Sequence, residues 1–144
     1  MSLNPAREVD YRRRLAIEHL QRAEKLFSLE DWVGTVSSCR LAVENFAKAI
    51  IAVFEVPTWS RDPSDQLKGL TDRLPSSLTD EINELAAIVM EMAPEHGRST
   101  YGEPGAGLLP SDIYGEAHAL NALEKARRSR EIAEETLRLL GVEI

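Results

Sequence analysis

The stretch that decides the fold lies at residues 39–51, which read CRLAVENFAKAII. At about 3.6 residues per turn, its apolar side chains, and those that follow it, recur on one side of a helix. Glu44 and Lys48 stand four residues apart with the acid first, which is the favourable orientation for an ion pair along a helix. The stretch therefore predicts a helix with a broad apolar face that other helices must cover. That face contains Val43, Phe46, Ala47, Ile50, Val53 and Phe54.

The chain has 144 residues, a length typical of one domain with its own core. Hydrophobic residues make up 43% of it and charged residues 28%, while aromatic residues make up only 6%. Because this composition favours helices over sheets, we predict a single all-α domain over residues 1–144. The formal net charge of −7 excludes a uniformly basic nucleic-acid surface, although it is compatible with a local basic patch.

Cys39 is the single cysteine, so no disulfide can form within one chain. A buried thiol in a reducing compartment is the simplest interpretation, and we predict a cytoplasmic protein. The sequence contains no apolar run near the ~20 residues that cross a membrane. Residues 1–10 also lack the apolar segment of a secretory signal, so we expect no membrane association.

Apolar spacing, caps and chain breakers divide the chain into helices. Seven prolines and glycines lie within residues 93–110, a density that predicts one long irregular loop. We expect Ser28–Asp31 to cap the second helix, Ser77 or Thr79 to cap the helix at 80–92, and Ser111 to cap the last. Short connections then predict an up-down antiparallel bundle of four to five helices. The predicted helical ranges are 8–28, 31–55, 65–73, 80–92 and 112–140.

The predicted loop carries Glu95, His96, Arg98 and Tyr101 close together. An arginine can bind a phosphate through two hydrogen bonds, and a tyrosine ring can stack on a nucleobase. The group therefore predicts a nucleotide or phosphate site with Arg98, Tyr101 and His96 as its ligand-binding residues. The alternative is structural: Arg98 forms an ion pair with a helix acid such as Glu44 and fixes the loop in place.

Several of these motifs resemble those of the HEPN (higher eukaryotes and prokaryotes nucleotide-binding) domain family. Residues 40–49 (RLAVENFAKA) resemble the family's second helix, and residues 64–70 (SDQLKGL) resemble the segment that follows it. Residues 98–101 (RSTY) resemble the family's Arg-x-x-Tyr motif, and the alanine-rich residues 117–126 resemble its last helix. The resemblance implies a bundle of four to five helices that commonly dimerises.

Many members of that family are metal-independent ribonucleases, in which four to six residues separate an arginine from a histidine. The positions at this spacing from Arg98 hold Glu103, Pro104 and Gly105, so the motif is absent there. We therefore predict a non-catalytic binding module and leave open whether the chain is an enzyme. The alternative is a toxin-like ribonuclease that uses Arg98 with His96 or His118.

The sequence gives little support to other kinds of site. The three histidines and Cys39 show no spacing typical of metal ligands, so we predict no metal and no cofactor. The glycines of the predicted loop lack the strand and the Lys-Ser/Thr of a phosphate-binding loop. Arg12–Arg14 precede His19 on the first helix and are interpreted as a solvated face, as is the basic run at 125–130.

The second helix has apolar residues on more than one side. We do not expect the other helices of a four-helix monomer to cover all of this apolar surface. We therefore predict a homodimer with a largely apolar two-fold interface along this helix. The resemblance also implies a nucleotidyltransferase-family partner, or RNA or a nucleotide as the ligand. In a paired system, Tyr101 is the candidate for nucleotidylation by that partner.

Overall fold

The computed structural model describes residues 4–144. Seven α-helices follow one another in these residues, and no β-strand occurs among them. The isolated bridge between Glu103 and Leu108 is their sole β-type pairing. Four long helices and three short ones confirm the all-α prediction. They are α1 (Pro5–Ser28), α2 (Trp32–Ala52), α3 (Ser64–Lys68), α4 (Thr79–Met92), α5 (Glu95–Tyr101), α6 (Pro110–Ile113) and α7 (Glu116–Leu139).

The turn between α1 and α2 depends on Asp31, which caps α2. Its side chain accepts a hydrogen bond from the Gly34 amide at 2.8 Å. Ser28 belongs to the end of α1, where its hydroxyl donates to the Lys25 carbonyl. A Cβ at Gly34 would lie 2.6 Å from Asp31 Oδ2 and 2.9 Å from Leu26 Cδ1, so a larger residue would displace the capping carboxylate or Leu26. The short connection makes α1 and α2 antiparallel neighbours.

α2 lies at the centre of the bundle, where it packs mainly against α1 and α7. Val43, Phe46 and Ile50 are fully buried. The apolar girth of α2 is thus covered within one chain, and the prediction of a dimer interface along this helix is wrong. The reason is that the short helices α3 and α5 also pack against α2 and add cover that a count of four long helices leaves out.

Three charged side chains lie along α2 with little exposure to solvent. Glu44 accepts hydrogen bonds from Arg40 Nη1 at 2.8 Å and from Lys48 Nζ at 3.0 Å. The side chains of Arg40 and Lys48 are 5% and 4% exposed, and buried charges need opposite charges close by. The predicted Glu44–Lys48 pair is therefore confirmed, and Glu44 also neutralises Arg40.

A second carboxylate joins α1 to α7. Glu134 on α7 accepts hydrogen bonds from Arg13 on α1 and from Arg130 on its own helix. Burial raises the pKa of Glu134, but the hydrogen bonds from Arg130 and Arg13 outweigh it, so the pKa lies below its ordinary value. The two basic runs of the sequence thus meet at an acid.

The segment at 93–110 is more regular than predicted, because α5 forms within it. After α5, a tight turn is closed by two backbone hydrogen bonds between Glu103 and Leu108, of 2.8 Å and 3.0 Å. The prediction of one long irregular loop is therefore wrong. The glycines and prolines mark the ends of short elements, since each can begin or end a helix or turn.

The boundaries of the last helix also differ from the prediction. Ser111 lies inside α6, and Tyr114 then takes an extended backbone conformation before α7 begins at Glu116. Ser111 is therefore not the cap of α7. The cap predicted for the helix at 80–92 is wrong too: no side chain among residues 4–144 caps α4, and the Thr79 hydroxyl donates back to the Ser76 carbonyl.

Cys39 on α2 is fully buried, as predicted. Burial raises the pKa of its thiol to about 12, which keeps the thiol protonated at neutral pH. The cytoplasmic location stays a prediction. Among residues 4–144, no helix combines the length and the apolar character needed to cross a bilayer.

Candidate functional site

Tyr114, between α6 and α7, is the centre of the candidate site. Its ring is 6% exposed, and its hydroxyl donates a hydrogen bond to Glu95 Oε2. Burial, and then the hydrogen bond to Glu95, raises the pKa of Tyr114 well above its ordinary value. Tyr114 is therefore a fixed hydrogen-bond donor at neutral pH and not a base.

Arg98 on α5 lies beside the same ring, where two carboxylates hold it. Its Nη1 donates to Glu95 Oε1 and its Nε to Glu103 Oε1, each at 3.2 Å. The guanidinium carbon lies 5.8 Å from the centre of the Tyr114 ring. Arg98 thus fixes its own segment, as the structural alternative expected. The prediction that Glu44 is the partner of Arg98 is wrong, because Glu44 forms ion pairs with Arg40 and Lys48 on α2.

A cleft of about 260 Å³ opens beside Tyr114, between the end of α4 and the first turns of α7. We call it the Tyr114 cleft. From α7, His118, Asn121 and Lys125 line it. Lys125 Nζ lies 2.7 Å from Glu91 Oε1, which holds the ammonium group at the wall of the cleft. The remaining lining residues are Val36, Met92, Glu95, Ala117 and Ala122.

His118 has a defined orientation in the Tyr114 cleft. Its ring centre lies 6.1 Å from that of Tyr114, with the ring planes at 89°. The Gly115 amide lies 3.3 Å from His118 Nδ1, which places the proton of the neutral ring on Nε2. The His118 Nε2–H and the Asn121 amide can therefore both bond to the edge of a nucleobase.

The residues predicted as one site, His96, Arg98 and Tyr101, all lie on α5 but have different surroundings. Arg98 lies against the buried tyrosine, whereas Tyr101 is 69% exposed at the end of the helix. Partial burial, and then the charges of Arg61 and Arg40, lowers the pKa of His96. The charged neighbours of His96 thus lie on α2 and in the segment that follows it. His96 and Arg98 are two positions apart and project from different sides of α5. Tyr101 is three positions beyond Arg98, at the exposed last residue of the helix.

Three residues of the Tyr114 cleft are absent from the sequence-based prediction: Tyr114, Asn121 and Lys125. Together with His118 they recur at intervals of four, three and four residues, which is the spacing of one helix face. This spacing is the feature of the sequence from which the four residues could have been assigned to one face. The sequence does not show that the end of α4 covers this face, so the cleft itself could not be inferred.

The solvated face predicted at Arg12–Arg14 is wrong for two of its three residues: Arg12 donates to Asn45 on α2 and Arg13 to Glu134 on α7, and Arg14 alone is mostly exposed. Arg12 pairs with Glu8 and Arg14 with Asp10, both at 2.9 Å. Partial burial and then Arg22 lower the pKa of His19. Across residues 4–144, no three His, Cys, Asp or Glu side chains are grouped as metal ligands would be.

The arrangement is that of a helical bundle with a polar cleft at the start of its last helix. The HEPN domain profile matches residues 9–140, nearly the whole length. The chain therefore belongs to the HEPN domain family. Its fold is similar to the crystal structure of TT1696 from Thermus thermophilus, with a TM-score of 0.69. The two are 21% identical over 94% of this chain and 100% of that one, a likeness that concerns the fold alone. No curated protein matches this sequence.

Proposed function

We propose that this chain is a non-catalytic binding module that holds a nucleotide, free or within RNA, in the Tyr114 cleft. The observation that carries the proposal is the convergence of His118, Asn121 and Lys125 beside a buried tyrosine. The Asn121 amide and the His118 imidazole can read a base edge, and the Lys125 ammonium group can bind a phosphate once it leaves Glu91. The cleft adjoins the segment that the sequence indicated, although the three residues that would contact the nucleotide, His118, Asn121 and Lys125, come from α7.

The size of the cleft suits one part of a nucleotide. Its volume of about 260 Å³ is below the ~300–1,000 Å³ typical of sites that enclose a whole small molecule. A base therefore occupies the cleft, and the sugar and phosphate stay at the surface. The Lys125 side chain is 24% exposed, so it can reach a phosphate there.

The charges around Arg98 support binding without cleavage. A ribonuclease needs a cation at the scissile phosphate and a group that accepts a proton. Arg98 is held by Glu95 and Glu103, and Tyr114 keeps its proton. The alternative ribonuclease, with Arg98 and His96 or His118, would first require Arg98 to leave both carboxylates.

Amide chemical shifts, followed during titration with AMP and with single-stranded oligoadenylate, test this proposal. We expect saturable shifts at the start of α7 and a ~10-fold weaker affinity in H118A and N121A, because each variant removes a base-edge contact. The matched controls are H19A on α1 and N83A on α4, which lie outside the cleft lining and keep wild-type affinity.

Two results would contradict the binding proposal. Shifts that do not saturate, or that map away from the Tyr114 cleft, would remove the site. Cleavage of the RNA by the pure protein, lost in R98A, would replace the binding module by the ribonuclease alternative.

We further propose that a nucleotidyltransferase-family partner modifies Tyr101. The 69% exposure of this side chain supports the proposal, since the ring of Tyr114 is buried. Tyr101 Oη would form a bond to the α-phosphorus of a nucleoside triphosphate. Pyrophosphate would leave, and the phenol proton would pass to a base of the partner.

Intact mass and peptide mapping test the modification on chain incubated with a nucleotidyltransferase-family protein and ATP. We expect one nucleotidyl group on Tyr101, lost in Y101F and kept in Y11F, whose tyrosine is also exposed. An unmodified chain, or an adduct on another residue, would refute it.

We also propose that the chain forms a homodimer, because HEPN domains often dimerise. Its interface would contain the exposed Leu108 and Leu109 and not α2.

A further inference from the structure

A second cleft, of about 730 Å³, lies between the start of α1 and the segment that follows α2. Its volume is within the ~300–1,000 Å³ range of small-molecule sites. It has no lining residue in common with the Tyr114 cleft. Three aromatic side chains, Tyr11, Phe54 and Trp59, contribute to its wall. We call it the Trp59 cleft.

The indole of Trp59 is exposed on an ordered segment. The side chain is 97% exposed, and Val56 beside it is 61% exposed. Gln66 holds this segment from α3: its Oε1 accepts from the Thr58 amide at 2.7 Å, and its Nε2 donates to the Val56 carbonyl at 3.0 Å. Large aromatic side chains that a fixed backbone presents to solvent are typical of binding surfaces.

The charges of the Trp59 cleft favour a positive ligand. Glu8 and Arg12 neutralise each other at 2.9 Å. Glu55 accepts a hydrogen bond from the neutral amide of Gln66 at 2.9 Å, so that contact leaves its negative charge in place. The charged groups that line the cleft, Glu8, Arg12 and Glu55, thus sum to one negative charge.

The aromatic walls suit the same kind of ligand. A cation within about 6 Å of a ring centre is attracted to the face of that ring. Two rings of the cleft already have such a contact: Arg12 lies 5.8 Å from the Tyr11 ring centre, and Arg73, which does not line the cleft, lies 4.7 Å from that of Phe54. Among residues 4–144, no arginine makes such a contact with the Trp59 ring, which is the one left for a ligand. The Trp59 ring has the strongest face for this interaction among aromatic side chains, and solvent reaches it freely.

We propose that the Trp59 cleft is a binding site for a small organic cation, such as a quaternary ammonium compound. The apolar part of the ligand packs on Tyr11 and Trp59, and its positive charge is stabilised by the ring faces and by Glu55. This site does not depend on the nucleotide in the Tyr114 cleft.

The test is a titration of the whole chain with phenyltrimethylammonium, followed by tryptophan fluorescence and amide chemical shifts. Its uncharged isostere, tert-butylbenzene, has nearly the same shape and serves as the matched ligand. We expect saturable binding of the cation. The affinity for tert-butylbenzene should be at least ~10-fold weaker. Binding of the cation should weaken ~10-fold in W59A and several-fold in E55Q.

Two variants provide controls. E124Q removes an exposed carboxylate of α7 that does not line the cleft, and it should bind the cation as the wild type does. Because Trp59 is 97% exposed, W59A keeps the fold, which circular dichroism checks. Trp32, packed on Phe27 with ring centres 5.3 Å apart, reports on the fold through its residual fluorescence.

Three outcomes would overturn the proposal. Equal binding of the cation and tert-butylbenzene would mean that the cleft selects apolar shape and not charge. No saturable binding of the cation would remove the site. A fluorescence change of Trp59 with protein concentration alone would assign the surface to a second copy of the chain.

Discussion

Arg40 and Lys48 carry positive charges into the bundle, and Glu44 lies between them on α2. Replacing Glu44 by glutamine leaves both cations buried without a negative partner. We expect E44Q to lower the free energy of unfolding by about 3–5 kcal/mol, measured by urea denaturation. The matched control is E131Q, whose carboxylate is 68% exposed beside Arg128 and should cost less than about 1 kcal/mol. Equal effects of the two variants would show that the α2 charges are not stabilised by Glu44.

Because of Tyr114, the stability of the folded protein depends on pH in the alkaline range. Its pKa in the folded chain lies above the ordinary value of 10.0, so the folded state holds the phenol proton more tightly than the unfolded state. The stabilisation is complete below pH 10 and decreases as the pH rises further. We expect Y114F to lose this part of the pH dependence, measured as the urea midpoint at about pH 9–11. Y101F, altered at an exposed ring, should retain the wild-type profile.

At the scale of elements, the turn between α5 and α6 depends on Gly102. This residue has φ +68°, and a Cβ on it would collide with the Leu108 carbonyl oxygen. We expect G102A to open the turn, with a loss of about 1–3 kcal/mol in stability and faster hydrogen exchange at the Glu103 and Leu108 amides. G105A is the control, since no atom lies within 4 Å of the added Cβ. Unchanged exchange in G102A would contradict this account of the turn.

At the scale of the whole molecule, the burial of α2 changes where a second copy can bind. A dimer cannot use Phe46 or Ile50, which one chain already covers. If Leu109 lies in the interface, L109E should halve the mass measured by light scattering at micromolar concentration. L29E is the control, because Leu29 at the α1–α2 turn is similarly exposed, 67% against 65%. A mass of one chain for the wild type would end the dimer proposal.

The sequence by itself determined the helical class, the buried face of α2 and the Glu44–Lys48 pair. All of these follow from local spacing, because the geometry of a helix places residues three and four positions apart on one side. Among the predictions that failed, those for the segment at 93–110 and for the covering of α2 have a common cause. There, short helices that propensity barely favours are stabilised by contacts with the rest of the bundle.

Only the tertiary structure decided what surrounds Arg98 and where the candidate site lies. Glu95 and Tyr114 are nineteen positions apart, and their hydrogen bond exists because α5, α6 and α7 fold back on one another. The Trp59 cleft likewise joins the start of α1 to the segment after α2. Contacts between distant segments depend on packing and on helix ends, which the periodicity of the sequence does not encode.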